Sequence, residues 1–182
     1  MNVIWLQRPE PVGALVYGEL DSPWGRVWSL WHEDALTQLA FVDSPSDEDK
    51  RFNRAAKVWR REPEPMAEDD DRLTDLAAIL RAWPHKGAAA MPTLEMVGSA
   101  FQRRVWRYLL RLDPGQCLTY GEVARHIGQP GAARAVGAAV GANPVPILVP
   151  CHRVLPASGG AGHYGGGERR KRWLLSSEGV AL

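Results

Sequence analysis

The sequence predicts an α+β protein of two units: a small α/β part over residues 1–92 and a mostly helical part over 93–182. Three observations predict it. Short β-like runs broken by turn residues fill the stretch from Val12 to Val42. Beyond Asp47, apolar residues recur at three- and four-residue spacing, the period of a helix. The character then changes across His85-Lys86-Gly87-Ala88-Ala89-Ala90-Met91-Pro92, which reads as a linker.

In the first unit, Val12–Leu20, Gly25–Trp31 and Leu36–Val42 are the β-like runs. Asp21-Ser22-Pro23-Trp24-Gly25 and His32-Glu33-Asp34 are the turns between them, so a small antiparallel meander is expected. Asp47–Trp59 carries Phe52, Ala55, Ala56 and Trp59 on one helical face and is broken by Arg61-Glu62-Pro63-Glu64-Pro65. Met66–Asp71 is acidic and reads as a surface loop. Leu73, Leu76, Ala77, Leu80 and Trp83 form a second helical stripe, stopped by Pro84.

In the second unit, Ser99 is placed to cap a helix running to about Leu112, with Phe101, Val105, Leu109 and Leu112 on one face. Tyr120–Ile127 is a short helix ended by Gly128. After the turn Gly128-Gln129-Pro130-Gly131 comes Ala132–Ala142, a helix made almost wholly of small residues. Asn143-Pro144-Val145-Pro146 reads as extended, because a residue before proline avoids the helical region. Ser158–Gly167 holds six glycines and reads as a loop. Glu168–Glu178 closes the chain as a helix with Trp173, Leu174 and Leu175 facing inward.

Composition narrows the class. Hydrophobic content of 45% and charged content of 24% over 182 residues are those of a soluble globular protein. No stretch approaches the roughly 18 apolar residues of a membrane span, and Met1–Glu10 has no signal-peptide pattern. Two cysteines, Cys117 and Cys151, do not make a secreted disulfide framework, so a reducing, cytoplasmic setting is expected. A bridge between the two is left open at this level. The net charge of +1 hides an asymmetry: 11 Lys+Arg against 16 Asp+Glu in residues 1–92, and 11 against 5 in residues 93–182. Ten of the eleven later cations are arginines. An Arg-rich half suits a polyanion such as a nucleic-acid backbone, and equally a solvated basic surface.

The most informative feature is the run Pro146-Ile147-Leu148-Val149-Pro150-Cys151-His152-Arg153-Val154. It sets a thiol beside an imidazole straight after an apolar segment. A thiolate is a strong nucleophile when its neighbours lower its pKa, while a free Cys is more often a small buried hydrophobe. Neighbours on an extended chain point to opposite sides. His152 would therefore reach Cys151 only through a water or a bend at Pro150. Glu178 is the candidate to orient His152. Cys117 has no such company and reads as packing.

Helix, four-residue turn, helix over residues 120–142 is the skeleton of a helix-turn-helix, and also of an ordinary helical hairpin. The second helix offers Arg134 and many small residues. That suits shape-tolerant minor-groove contact better than a base-reading code. Arg134 is either a surface cation or a side chain that fills the gap left by an extruded base.

These motifs, in this order, resemble the O6-alkylguanine-DNA alkyltransferases, also called methylated-DNA–protein-cysteine methyltransferases. The resemblance runs from about Gly98 to Gly179. It passes through Phe101-Gln102-Arg103-Arg104-Val105-Trp106, Thr119-Tyr120-Gly121, Ala132-Ala133-Arg134-Ala135-Val136-Gly137, Asn143-Pro144, Pro150-Cys151-His152-Arg153-Val154, Gly162-His163-Tyr164-Gly165-Gly166-Gly167 and Trp173-Leu174-Leu175 to Glu178-Gly179. The first unit matches more loosely, through Ser22-Pro23-Trp24-Gly25 and the alternating strands.

The resemblance implies an RNase H-like first unit and a winged helix-turn-helix second unit. It implies repair of DNA by direct damage reversal. O6-alkylguanine, and O4-alkylthymine with it, would be flipped from duplex DNA through the minor groove. The alkyl group would pass irreversibly to Cys151 in a single turnover. His152 would act as base through water, with Glu178 behind it and Asn143 as support. Tyr120 would donate a hydrogen bond to guanine N3 and crowd the target phosphate. Arg134 would be the finger, with Ala133, Ala135, Gly137 and Tyr120 also on DNA. Val154, Tyr164 and Gly165 would line the base pocket, where the carbonyls of Cys151 and Val154 accept from the guanine amino group and the Gly165 amide faces O6.

Some relatives hold a structural zinc through N-terminal cysteines. Residues 1–92 contain no Cys, so no such metal is expected, and no cofactor. Many relatives carry a side chain such as Ser where this chain has Gly165. The bare Gly162 and Gly166 suggest a pocket mouth open to adducts larger than methyl. The expected partner is alkylated double-stranded DNA, bound by a monomer, with cooperative binding along DNA left open and no membrane involved. Three rivals predict otherwise: a lesion binder would lack the Cys, a sequence-reading regulator would show a coded recognition helix, and a cysteine hydrolase would turn over.

Overall fold

The computed structural model describes residues 1–10, 12–67, 69–85 and 90–182. It divides into two compact units, Met1–Val97 and Gly98–Leu182. Among the described residues there are six α-helices, and the main sheet is mixed. No described helix is long and apolar enough to cross a membrane.

Among its described residues the first unit is built on six strands: β1 (Val3–Leu6), β2 (Leu15–Ser22), β3 (Gly25–His32), β4 (Ala35–Phe41), β5 (Glu64–Pro65) and β6 (Thr93–Val97). Their order is β1-β6-β4-β3-β2-β5. β2, β3 and β4 form the expected antiparallel meander. β6 pairs in parallel with both β1 and β4. Thr93–Val97 is therefore a strand of the first sheet, and the division falls after Val97 rather than after Pro92. Sequence pattern did not reveal β1 or β6, because each is at most five residues long and neither alternates cleanly.

Turn chemistry fixes the first hairpin. Ser22 Oγ donates to the Gly25 carbonyl at 2.6 Å and accepts from the Trp24 amide at 3.2 Å. Gly25 takes a φ of 113°, a region open to glycine. Helix α1 (Pro45–Trp59) starts at Ser44, whose hydroxyl caps the Asp47 amide, with Pro45 at its first position. It lays Ala55 and Trp59 on Trp28, Leu30 and Val42 of the sheet. Helix α2 (Asp71–Ala82) is capped by Asp70, so the acidic stretch ends in a helix start rather than in open loop. Residues 86–89 of the expected linker lie outside the described residues.

In the second unit, α3 (Ala100–Leu109) opens with a capping box between Ser99 and Gln102. α4 (Tyr120–His126) opens with another, between Thr119 and Glu122. A turn then leads to α5 (Ala133–Gly141). Trp106, buried on α3, donates its indole N–H to the Ala139 carbonyl at 2.8 Å and ties α3 to α5. The last helix, α6 (Glu168–Ser177), buries Lys171, Leu174 and Leu175. Trp173 does not face inward: it is 47% exposed, because Leu174 and Leu175 already occupy the buried arc of the helix.

Candidate active site

Two short strands bring the site together. β7 (Leu118–Thr119) runs directly into Tyr120 at the start of α4. β8 (Val154–Leu155) leaves directly from a 3-10 turn formed by Cys151–Arg153. β7 and β8 pair in parallel, Leu118 with Val154 and Thr119 with Leu155. That pairing sets the first residue of α4 beside the thiol-bearing turn. The ionisation of Tyr120 feels Cys151 as a consequence: burial, then the facing thiol, pushes the Tyr120 phenol up.

The approach to Cys151 is not extended. Residues 143–149 fold back on themselves, with the Val149 amide bonded to the Val145 carbonyl at 3.0 Å. The reason lies in Asn143. Its side chain accepts from the Val145 amide at 3.1 Å and donates to the Val149 carbonyl at 2.9 Å. Ile147, fully buried, is forced to a φ of 74° in the middle of this turn, a conformation costly for a β-branched residue. Cys151 and His152 follow in a 3-10 turn, so the argument from extended neighbours does not hold for them.

Cys151 is 5% exposed and both cysteines are free thiols. Burial pushes the Cys151 thiol up, against a hydrogen bond from Asn143 and the charge of Lys171, which pull it down. The net direction is upward, so the resting group is the thiol, and its use as a nucleophile needs a base.

His152 supplies a candidate. Its Nε2 lies 2.9 Å from Glu178 Oε1, with both side chains at 0% exposure. Burial lowers the His152 pKa below its ordinary value despite the carboxylate. Burial alone would raise Glu178, but the hydrogen bonds from His152 and Arg153 outweigh it and hold it at about 2. An ionised Glu178 facing a neutral imidazole puts the ring proton on Nε2. The lone pair is then on Nδ1, the tautomer a base requires.

Glu178 has further partners. Arg153 donates Nε to Oε2 at 2.9 Å and Nη2 to Oε1 at 2.7 Å, and the Gly115 amide donates to Oε2 at 3.1 Å. Arg153 Nη1 also bonds the Leu112 carbonyl. Sequence reasoning did not single out Arg153 or Lys171. A cation in an Arg-rich half reads as surface, and only burial of 2% and 1% exposure separates these two from the rest.

The carbonyls expected to meet a base each carry one partner already. The Cys151 carbonyl accepts from the Val154 amide, and the Val154 carbonyl accepts from Lys171 Nζ at 2.7 Å. A carbonyl has two lone pairs, so each retains a second acceptor site. Tyr164 is buried, and Gly165 is exposed with nothing within 4 Å of where a Cβ would stand. On α5, Arg134 and Ala135 are exposed and Ala133 is half-buried. A Cβ on Gly137 would lie 3.8 Å from the Tyr120 ring, so the two helices meet closely there. Among the described residues no group of three or more His, Cys, Asp or Glu side chains is placed to hold a metal ion.

The sequence model of the 6-O-methylguanine DNA methyltransferase DNA-binding domain matches residues 100–180. The chain is 40% identical over 163 residues to the methylated-DNA–protein-cysteine methyltransferase of Mycolicibacterium paratuberculosis, covering 89% of this chain and 91% of that one. The chain belongs to the methylated-DNA–protein-cysteine methyltransferase family. Two solved structures agree with that membership along most of its length. The crystal structure of Mycobacterium tuberculosis O6-methylguanine methyltransferase superposes with a TM-score of 0.69 at 38% identity, over 90% of this chain and 92% of that one. The M. tuberculosis OGT in complex with DNA gives 0.65 at 39%, over 89% and 91%. Both units of this chain thus lie within the methyltransferase match, the loosely patterned first unit included.

Proposed function

We propose that the protein repairs DNA by taking the alkyl group from O6-alkylguanine, and from O4-alkylthymine, onto Cys151. The observation that carries this is the Cys151–Arg153 turn: a shielded thiol followed by an imidazole whose tautomer is set by an ionised carboxylate. Family membership adds the substrate class, since the matched relatives are named for methylated DNA and one of them is solved with DNA.

The chemistry balances without a cofactor. The S–C bond forms as the C–O6 bond breaks, and the electron pair passes to the guanine ring. The thiol proton leaves through water to Nδ1 of His152, and guanine takes up one proton to become the normal base. Glu178 orients the imidazole and Asn143 holds the turn. Tyr120 donates toward guanine N3, offsetting charge on the leaving base by oxyanion-hole logic. Val154, Tyr164 and Gly165 line the base pocket. A thioether has no hydrolytic exit, so each molecule works once.

A target atom inside a duplex requires base flipping. The α4–turn–α5 pair acts as a helix-turn-helix in a winged second unit that enters the minor groove. There Ala133, Ala135 and Gly137 allow close approach and Arg134 fills the vacated stack. The first unit is RNase H-like. The protein acts as a monomer in the cytoplasm, on the nucleoid when bound to DNA.

The test is transfer of label. DNA with radiolabelled O6-methylguanine is incubated with reduced protein, which is then digested. Label on the Cys151 peptide, saturating near one per molecule, is expected. Unlabelled protein, or continued turnover, rejects the proposal.

A further inference from the structure

Of the three arginines on α6, Arg169 and Arg172 are exposed, and Arg172 pairs with Glu168 at 2.8 Å. Arg170 is half-buried in the first turn of the helix. A cation is disfavoured there, because the N-terminal end of a helix carries partial positive charge. Its contacts account for it. Nη1 of Arg170 donates to the Gly166 carbonyl at 3.0 Å. Its charge also reaches Tyr164: burial and the Cys151 thiol push that phenol well up, and Arg170 pulls against them. The guanidinium therefore lies close to both Tyr164 and Gly166.

These two residues belong to the turn Tyr164-Gly165-Gly166-Gly167. Three glycines in a row have no Cβ to restrict the backbone, so ordering them costs more conformational freedom than any other residues would. Gly165 is exposed, with nothing within 4 Å of where a Cβ would stand. Hydrogen bonds supply the restraint that side chains do not. The Gly167 amide donates to the Tyr164 carbonyl at 2.9 Å and closes the turn on itself. The bond from Arg170 to Gly166 ties the turn to α6, a helix anchored by the buried Leu174 and Leu175.

We infer that Arg170 is a positioning residue for alkyl transfer: its bond to Gly166 holds the Tyr164–Gly167 turn on α6, keeps the Gly165 amide directed at the leaving oxygen and sets the width of the pocket mouth. The inference rests on the alkyl-transfer reading, which puts this turn against the base. A donor stabilises developing charge best when it is fixed in place beforehand. Loosening the turn therefore hurts a methyl adduct, which needs the amide in place, more than a bulky adduct, which gains room.

The experiment uses the full chain as wild type, Arg170→Met, Arg170→Gln and Arg170→Lys. Met keeps the apolar stem and removes donor and charge, Gln is shorter and uncharged, and Lys keeps a charged donor. Single-hit transfer is followed from O6-methylguanine and from O6-benzylguanine in the same duplex, beside hydrogen exchange of the Gly167 amide by NMR without DNA. Methyl transfer should slow by about 10-fold or more in Met. The ratio of methyl to benzyl rate should fall by about 5-fold or more. Lys should restore most of that ratio. Gly167 exchange should quicken in Met by about 10-fold. Melting curves report folding, and if Met does not fold, Gln carries the test. Equal slowing of both adducts overturns the inference, since a residue that only supports the fold would act on both alike. A Lys variant that behaves as Met also overturns it, as does Gly167 exchange at the wild-type rate. If wild type takes neither adduct from DNA while Gly167 exchange still quickens in Met, the repair reading falls and the tether stands.

Discussion

His152 Nε2 and Glu178 Oε1 meet at 2.9 Å although 26 residues separate them in the chain. The same carboxylate takes two bonds from Arg153, so one buried anion sets an imidazole tautomer and neutralises a guanidinium. Glu178→Gln keeps the size but turns one oxygen into a donor that faces another donor. The uncompensated Arg153 should cost about 3 kcal/mol or more of stability. Loss of the orienting charge should slow transfer by about 100-fold or more. Thermal melts and single-hit transfer kinetics measure the two separately. A variant with the wild-type rate would remove Glu178 from the chemistry.

Glu178 also predicts an acid limit. Its folded pKa of about 2 lies below the ordinary 4.5. A depressed carboxyl contributes stability that is fully present above its unfolded pKa and is lost as pH falls toward the folded one. Urea midpoints should therefore drop between about pH 4.5 and pH 2. In Glu178→Gln that fall should be shallower, and equal slopes would exclude this source.

In the first unit, His32 sits between two oxygen acceptors. Nδ1 is 2.9 Å from Glu95 Oε2 and Nε2 is 2.6 Å from the Val12 carbonyl. Satisfying both requires both ring protons, so the geometry favours imidazolium. Burial pulls His32 down, but the bonds it donates to Glu95 and Val12 outweigh it and its pKa is raised from 6.5. A raised histidine stabilises fully below its unfolded pKa, and the contribution fades as pH rises through the folded value. Amide exchange around Ala14 and Glu33 should quicken as pH rises above about 6.5, beyond the intrinsic base-catalysed increase. Glu95→Gln should abolish that excess. An unchanged excess would acquit the pair.

The parts legible in the sequence were those with strong local signals. Ser99 preceded a periodic apolar run and caps a helix. The meander showed through its turns. β1 and β6 did not show, because their partners lie some 90 residues apart and pairing leaves no mark in so short a segment. At the site, Cys151, His152, Glu178 and Asn143 carried motif spacing. Arg153 and Lys171 did not stand out, since a buried cation has the same letter as a solvated one. The bend at Ile147 was hidden for a different reason: Asn143 imposes it through side-chain hydrogen bonds to the backbone two and six residues ahead, which override the residue's own preference.

Two glycines of the glycine-rich loop should respond differently. Gly162 has a φ of 69°, and a Cβ there would stand 2.8 Å from Pro156 Cδ. Gly162→Ala should cost about 1–2 kcal/mol and lower transfer with it. Gly165 has open space, so Gly165→Ser should change stability by less than about 0.5 kcal/mol. Melting curves of the two variants decide the matter. The open side of Gly165 also predicts acceptance of bulk: O6-benzylguanine DNA should be dealkylated, and near-zero benzyl transfer would sink that expectation.

Arg134 tests whether DNA geometry or pocket chemistry limits the reaction. It is exposed on α5 and lies on the helix that packs against Tyr120 through Gly137. If it fills the stack left by a flipped base, its loss should matter only when a base must be flipped. Arg134→Ala should slow transfer from duplex DNA by about 10-fold or more, since unstacking costs a few kcal/mol. Reaction with the free base O6-benzylguanine should stay within about twofold, because a one-residue surface change leaves the pocket intact. A mismatched target, which is already partly unstacked, should recover part of the loss. Equal losses on duplex and free base would place Arg134 in the fold of the site instead, and equal rates on both would leave it a plain surface cation.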